Sequence, residues 1–204
     1  QCQGVPNKDV YSLPWPGDAK EWTLAATLPD ECRLQPCVAV QGTAKGNCLF
    51  VFGGYQSKND SLGLAPAVHT DGVYMSIAEL KKGGADASLW KRTSPASVWI
   101  DNIQDGSREL CRQAVVGSTS TAIGYSHVAF FGGVDFDIFL SAIQGRQDSL
   151  YLRHTPEWYR FRKDVLTYHT ITDAWGLLPG DSLLARAGAC LTPEVGGTGW
   201  SYSG

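Results

Sequence analysis

The sequence predicts an all-β fold assembled from repeated four-stranded antiparallel sheets, and three observations predict it. An apolar run ends in a glycine doublet twice, at LFVFGG (49–54) and VAFFGG (128–133). After each doublet come a polar stretch, an aromatic strand and a tryptophan. These are DGVYMSIAEL (71–80) and Trp90 in the first unit, and DVLTYHTITDAW (164–175) with Tyr168 and Trp175 in the second. A third unit begins at GACLTPEVGGTGWSYSG (188–204). Self-similarity of this kind marks an array of like supersecondary units.

The chain opens with the tail of such a unit, DVYSLPWPGDAKEWTLAATLP (9–29), which carries Tyr11 and Trp22, so residues 1–30 read as the end of a sheet. Residues 31–97 read as a complete sheet. CVAVQGTAKGNCLFVFGGYQ (37–56) supplies strand, turn, strand and doublet, and the aromatic strand and Trp90 follow. Residues 108–180 read the same way, starting from QAVVGSTSTAIGYSHVAFFGGVD (113–135), and residues 181–204 start the next sheet. A small antiparallel sheet cannot bury both of its faces alone, so such units stack side by side around an axis. The glycines allow a tight turn where a side chain would strike the neighbouring sheet. Tyr and Trp fill the space between sheets and need partners for OH and NH.

One segment interrupts the second unit. LSAIQGRQDSLYLRHTPEWYRFRKDV (140–165) is too long for a loop within a sheet. Thr155 as N-cap, Pro156 at the first helical position and Glu157 in the first turn predict a helical insertion.

At 204 residues, 43% hydrophobic and 18% charged, the chain is long enough to form one domain with a sizeable core. A formal net charge of -3 argues against nucleic acid as a partner. No apolar run reaches the roughly 18 residues that a membrane span needs. The start, QCQGVPNKDV, has no basic segment followed by an apolar one, so it shows no signal peptide, as a processed chain would not either. The six cysteines (Cys2, Cys32, Cys37, Cys48, Cys111, Cys190) form no CxxC pair and have no histidine at zinc-finger spacing. No metal site is expected, and the thiols read as buried and free.

Glycine doublet, then tyrosine, then tryptophan is the mark of the kelch repeat, and the chain resembles kelch β-propellers. A narrower resemblance rests on WYRFRKDVLTYHTITDAW (158–175), the RAGACL that follows it (186–191), the helical insert after GGV, and DECRLQPCVAVQG (30–42) with LFVFGG one blade earlier. These stretches resemble the sialic acid mutarotases, the N-acetylneuraminate epimerases of bacteria. The resemblance implies about half of a six-bladed propeller, entered inside a blade as in the cyclically permuted branch of that family. The rest of the ring is expected from a longer chain or a second chain. It implies a small sugar acid as ligand, interconversion of its anomers by ring opening with acid/base catalysis, and no cofactor. It also implies a periplasmic or extracellular location. The family's catalytic glutamate follows the glycine of the next GE stretch, with an arginine soon after. Here WSYSG ends at that point, so both would lie beyond Gly204. No catalytic residue is assigned within these 204 residues, which are expected to be inactive alone.

Opening and closing a sialic acid ring requires a base for the anomeric hydroxyl proton, an acid for the ring oxygen, and a fork of donors for the carboxylate. Arg33 in ECRLQ, Arg112 in LCRQA and Arg186 in LARAG each precede an inner strand. They read as one repeat position converging on one mouth of the channel, with guanidinium groups partly exposed. The competing reading is that they brace neighbouring blades. Arg33 ranks first and Arg186 second, because their surroundings match the family best. Asp135 and Asp137 follow the second doublet, where solvated loop acids are ordinary. Asp135 stands where the family has asparagine, which implies a hydrogen bond to sugar hydroxyls. Tyr55 and Gln56 hold the matching place one blade earlier. Glu157 and Arg160 lie at i, i+3 and suit a simple helix pair. His127 reads as structural, and His69, His154 and His169 have no companion Ser or Cys motif. No nucleophile elbow or P-loop is present. The alternative to the enzyme is a non-catalytic kelch propeller that binds a glycan or a protein.

Overall fold

The computed structural model describes residues 7–14, 21–29, 33–84, 86–101, 105–145, 161–178, 187–193 and 200–203. In chain order the strands are β1 (Asp9–Ser12), β2 (Thr23–Thr27), β3 (Cys37–Thr43), β4 (Gly46–Phe52), β5 (Tyr55–Gln56), β6 (Ala67–Val68) and β7 (Gly72–Ser76). A short helix, α1 (Ile77–Leu80), precedes β8 (Lys91–Arg92), β9 (Ser97–Asp101), β10 (Arg108–Arg112), β11 (Ser118–Ile123) and β12 (His127–Gly132). Helix α2 (Phe136–Ile143) follows, then β13 (Val165–His169), β14 (Ala174–Leu178), β15 (Cys190–Pro193) and β16 (Trp200–Ser203).

Two sheets have four strands, in the orders β3-β4-β7-β8 and β11-β12-β13-β14, with sequential strands antiparallel. The β1-β2 and β15-β16 hairpins flank them in sequence, and the chain is a partial β-propeller with two complete blades. The second blade starts at Ser118. Residues 108–112, expected in it, pair instead with β9 as a separate hairpin between the blades. No described helix is long and apolar enough to cross a membrane.

The central strands β4 and β12 are buried on both faces, which is why they read as continuous apolar runs. In β4, Phe50 and Phe52 point one way and join Val128, Phe130, Leu166 and Tyr168 in the core between the two blades. Val51 points the other way and joins Ala25, Ala26, Val73, Met75 and Trp90 in the core against the β1-β2 hairpin. Phe52 meets Phe130 and Trp175 edge-on, with ring centroids at 4.9 and 5.8 Å. Buried Gln41 ties the first inner strand to the second blade, donating to the carbonyls of Ile123, Gly124 and His127. Cys37 and Cys48 are buried free thiols. Burial pushes the Cys37 thiol up to about 12, with a hydrogen bond involving Ser120 opposing.

The glycine doublets sit at the same place in both blades, directly after Phe52 and Phe131, which pair with Cys37 and Thr119 of the inner strands. All four glycines have positive φ. A Cβ on Gly53 would strike the Val115 carbonyl at the entrance to the next blade, and one on Gly133 would strike Ser118. The Gly54 N–H donates to the Val115 carbonyl at 2.8 Å. The first doublet is therefore where its blade seats against the next, while Gly133 packs on the inner strand of its own blade.

The tryptophans repeat with the same register. Trp175 pairs with Tyr168, and Trp90 stands one step beyond the Tyr74–Lys91 pair, where its partner is Met75. Each indole N–H reaches back to the preceding unit: Trp90 to the Thr27 carbonyl at 2.9 Å, Trp175 to the Ser94 carbonyl at 3.0 Å. Trp22 stands one step beyond the Ser12–Thr23 pair, the same place, but is 65% exposed. Trp90→Phe and Trp175→Phe should therefore each cost about 1–2 kcal/mol, the loss of one partly buried hydrogen bond. Trp22→Phe should stay within about 0.5 kcal/mol of wild type. Urea denaturation followed by circular dichroism checks this, and equal costs at all three sites would refute the assignment.

The helical insertion begins earlier than expected. Helix α2 starts at Phe136, capped by Asp135, whose side chain accepts the Ile138 N–H at 3.0 Å. Phe136, Phe139, Leu140 and Ile143 give it an apolar stripe at helical spacing. The helix expected near 156–165 is not seen over its last residues. Phe161 forms a bridge with Val134, and Val165 begins β13, because these residues return the chain to the blade. Thr155, Pro156, Glu157 and Arg160 lie outside the described residues.

Candidate functional site

Of the sequence-derived site residues, Arg33, Tyr55 and Asp135 stand at the end of the blades that carries the doublets. Leu34 and Tyr55 exchange backbone hydrogen bonds of 2.8 and 2.9 Å there. In the second blade the Val134 N–H donates to Val116 at 3.2 Å, so Val116 takes the place of Leu34 and Val115 that of Arg33. Gln35, Gly117 and Gly188, each at positive φ (50, 63 and 70°), fit the same register. Arg112 therefore does not share the position of Arg33. It closes β10 opposite Ser97, exposed, because the β9-β10 hairpin places it three residues before Val115. By sequence Arg186 precedes Gly188 as Arg33 precedes Gln35, but Arg186 lies outside the described residues.

Arg33 is the brace of the first blade. Its side chain is 0% exposed. Nη1 donates to the carbonyls of Gly53 and Asp71, both at 3.0 Å, and Nη2 to Asp71 Oδ1 at 2.8 Å. Arg92 takes the other carboxylate oxygen at 2.6 Å. The expectation of a partly exposed Arg33 guanidinium at the channel mouth is thus corrected. The positive-φ turn at Gly53 leaves a buried carbonyl that needs a donor, and Arg33 supplies it.

Tyr55 lies half-buried in β5 and meets Phe139 of α2 edge-on, with centroids 5.1 Å apart. Gln56 is buried and spends its amide on the Ala65 carbonyl at 2.8 Å, which shapes the loop. Asp135 is half-buried at the start of α2, and Asp137 is exposed in its first turn. Tyr55, Phe139 and Asp135 thus form one lip, with an aromatic edge beside a carboxylate. A groove of about 560 Å³ in the first blade is lined in part by Lys8, Val68, His69, Asp71 and Arg92. Val68 is the strand partner of Tyr55.

Arg162 belongs to this end and was not singled out from the sequence. Its backbone N–H donates to the Gly133 carbonyl at 2.9 Å, just as His69 donates to Gly54 at 3.0 Å. It precedes Asp164 by two residues, as His69 precedes Asp71. That parallel between the repeats was the available signal. Burial pushes its guanidinium below the usual arginine value, while the charges of Asp164 and Asp135 oppose the shift.

At the opposite end, Ser126 Oγ lies 3.2 Å from His169 Nε2. The pair is not a nucleophile and its base. His169 Nδ1 accepts the Thr172 N–H at 3.1 Å, so the neutral ring carries its proton on Nε2 and donates toward Ser126. Among the described residues no three of His, Cys, Asp and Glu are grouped to hold a metal ion.

No family profile matches the chain, and no curated protein matches it in sequence. In three dimensions it is similar to the solved structure of YjhT, with a TM-score of 0.65 at 18% identity. The likeness covers 92% of this chain and 49% of that one, so the chain spans about half the length of the structure it matches. What the likeness shows is the fold, a propeller of which this chain forms part.

Proposed function

We propose that the protein binds a sugar acid of the sialic acid class at the doublet end of its propeller and interconverts the sugar's anomers. The observation that carries this reading is the lip formed by Tyr55, Phe139 and Asp135. The face of an aromatic ring packs against the apolar C–H face of a pyranose, and a carboxylate accepts its hydroxyl protons. The propeller fold and the resemblance of residues 158–175 and 186–191 to the mutarotases support it. Mutarotation needs only proton transfer at the anomeric hydroxyl and the ring oxygen, so protein acids and bases suffice. By the same resemblance the residues described here hold the substrate, and no acting acid or base is assigned among them. A periplasmic or extracellular location is part of the proposal.

A second reading is a kelch module that binds a glycan without turning it over. The placement of Arg33 favours it, because the arginine first expected to hold the substrate's carboxylate spends Nη1 and Nη2 inside the blade. Proton NMR of N-acetylneuraminate separates the two. The enzyme reading expects the α and β anomers to equilibrate faster with the intact propeller than in buffer at the same pH. Binding with an unchanged equilibration rate would replace it by the second reading, and neither effect would remove both.

A further inference from the structure

We propose that Arg162, with Asp135 and Asp164, forms a subsite that reads sugar hydroxyl groups rather than the sugar's carboxylate. The proposal rests on the sugar-binding reading above and names what this corner of the site recognises. Arg162 is only 9% exposed, yet its Nη2 has no hydrogen-bond partner. A buried guanidinium nitrogen is costly to leave unpaired, and such exceptions need an explanation. Arg33 shows what a bracing arginine does in this fold: its Nη1 and Nη2 meet two carbonyls and one carboxylate oxygen one blade earlier. Arg162 Nη2 does nothing of the kind, although it stands at the same doublet end, held there through Gly133.

The charges around it select the ligand. The Arg162 N–H bond to Gly133 brings it beside the segment that carries Asp135, two residues on, and Asp164 stands two residues after Arg162 itself. One guanidinium therefore lies in the field of two carboxylates. An incoming carboxylate would meet one positive and two negative groups. A hydroxyl suits the arrangement better, because its oxygen accepts from Nη2 while its proton is donated to an aspartate oxygen. A pair of neighbouring hydroxyls would use both aspartates. Asp135 Oδ1 is held by the Ile138 N–H, which fixes the carboxylate's direction on the rigid start of α2.

Calorimetric titration of wild type, Arg162→Gln and Arg162→Met with N-acetylneuraminate and with its C1 methyl ester tests the proposal. Loss of one charged hydrogen bond predicts affinity about 10- to 100-fold weaker in both variants, and by the same factor for acid and ester. A loss seen with the acid but not the ester would make Arg162 the carboxylate's anchor and overturn the proposal. Unchanged affinity for both sugars would overturn it too, with Arg162 left as part of the blade. Melting curves keep the result readable. An affinity change counts only where the variant still unfolds near the wild-type temperature, and Arg162→Gln, which keeps a donor, is the milder of the two. If wild type binds neither sugar, the sialic acid reading fails by itself. Neutral hexoses and N-acetylhexosamines are then screened by saturation-transfer NMR. Arg162-dependent binding of any of them sustains the hydroxyl subsite, and none at high millimolar concentration ends it.

Discussion

Gly53→Ala is expected to destabilise the protein by about 2–5 kcal/mol, through left-handed backbone strain and collision with packed atoms. Gly53 has φ 61°, and a Cβ built on it would meet the Val115 side chain at 2.6 Å as well as the Val115 carbonyl. Val115 is itself fully buried at the entrance to the next blade, so the neighbour cannot move aside without opening the core. Gly46 is the control. It too has positive φ, 107°, but a Cβ there meets nothing within 4 Å. Gly46→Ala should show the strain alone, about 1–2 kcal/mol. Guanidinium denaturation of both variants measures the difference. Equal losses would mean that the doublet is a turn and not a seat for the neighbouring blade.

Arg33→Met should cost about 3–5 kcal/mol, the usual consequence of removing one partner from a buried ion pair. Three acceptor atoms lose an arginine donor at once, the carbonyls of Gly53 and Asp71 and one oxygen of the Asp71 carboxylate, though the Asp71 carbonyl keeps the Gly53 N–H at 2.9 Å. Arg92 still holds the other oxygen, so the carboxylate is not abandoned, which places the loss toward the lower end of that range. Arg33→Lys should recover little, because an ammonium cannot span two carbonyls and a carboxylate as the planar fork does. Any folded fraction of either variant should bind ligand as wild type does. A loss of sugar affinity with an unchanged unfolding midpoint would return Arg33 to the binding site.

What was legible in the sequence was the part fixed by strict local demands. The doublets were readable because positive φ in a crowded place admits almost nothing else. Trp90 and Trp175 were readable because each fills the gap to the preceding sheet and donates one hydrogen bond there. The tyrosines misled slightly: Tyr168 faces Trp175 across the ladder, whereas Tyr74 sits one step away, opposite Lys91. The likeness of ECRLQ to LCRQA put Arg112 beside Arg33. Only the pairing of the inner strands with the doublet strands reveals the three-residue offset, and pairing is a long-range property. Arg162 was hidden inside a stretch read as helix. Asp135, read as a loop acid, caps α2, and its value to a ligand depends on the helix that orients it.

The central claim is that a sugar acid binds at the doublet end. A crystal structure of the protein soaked with N-acetylneuraminate tests it most directly. The sugar is expected against Tyr55, within hydrogen-bond distance of Asp135 and Arg162. A sugar seated instead at the opposite end, around the turns at Thr43–Gly46 and Gly124–Ser126, would contradict it.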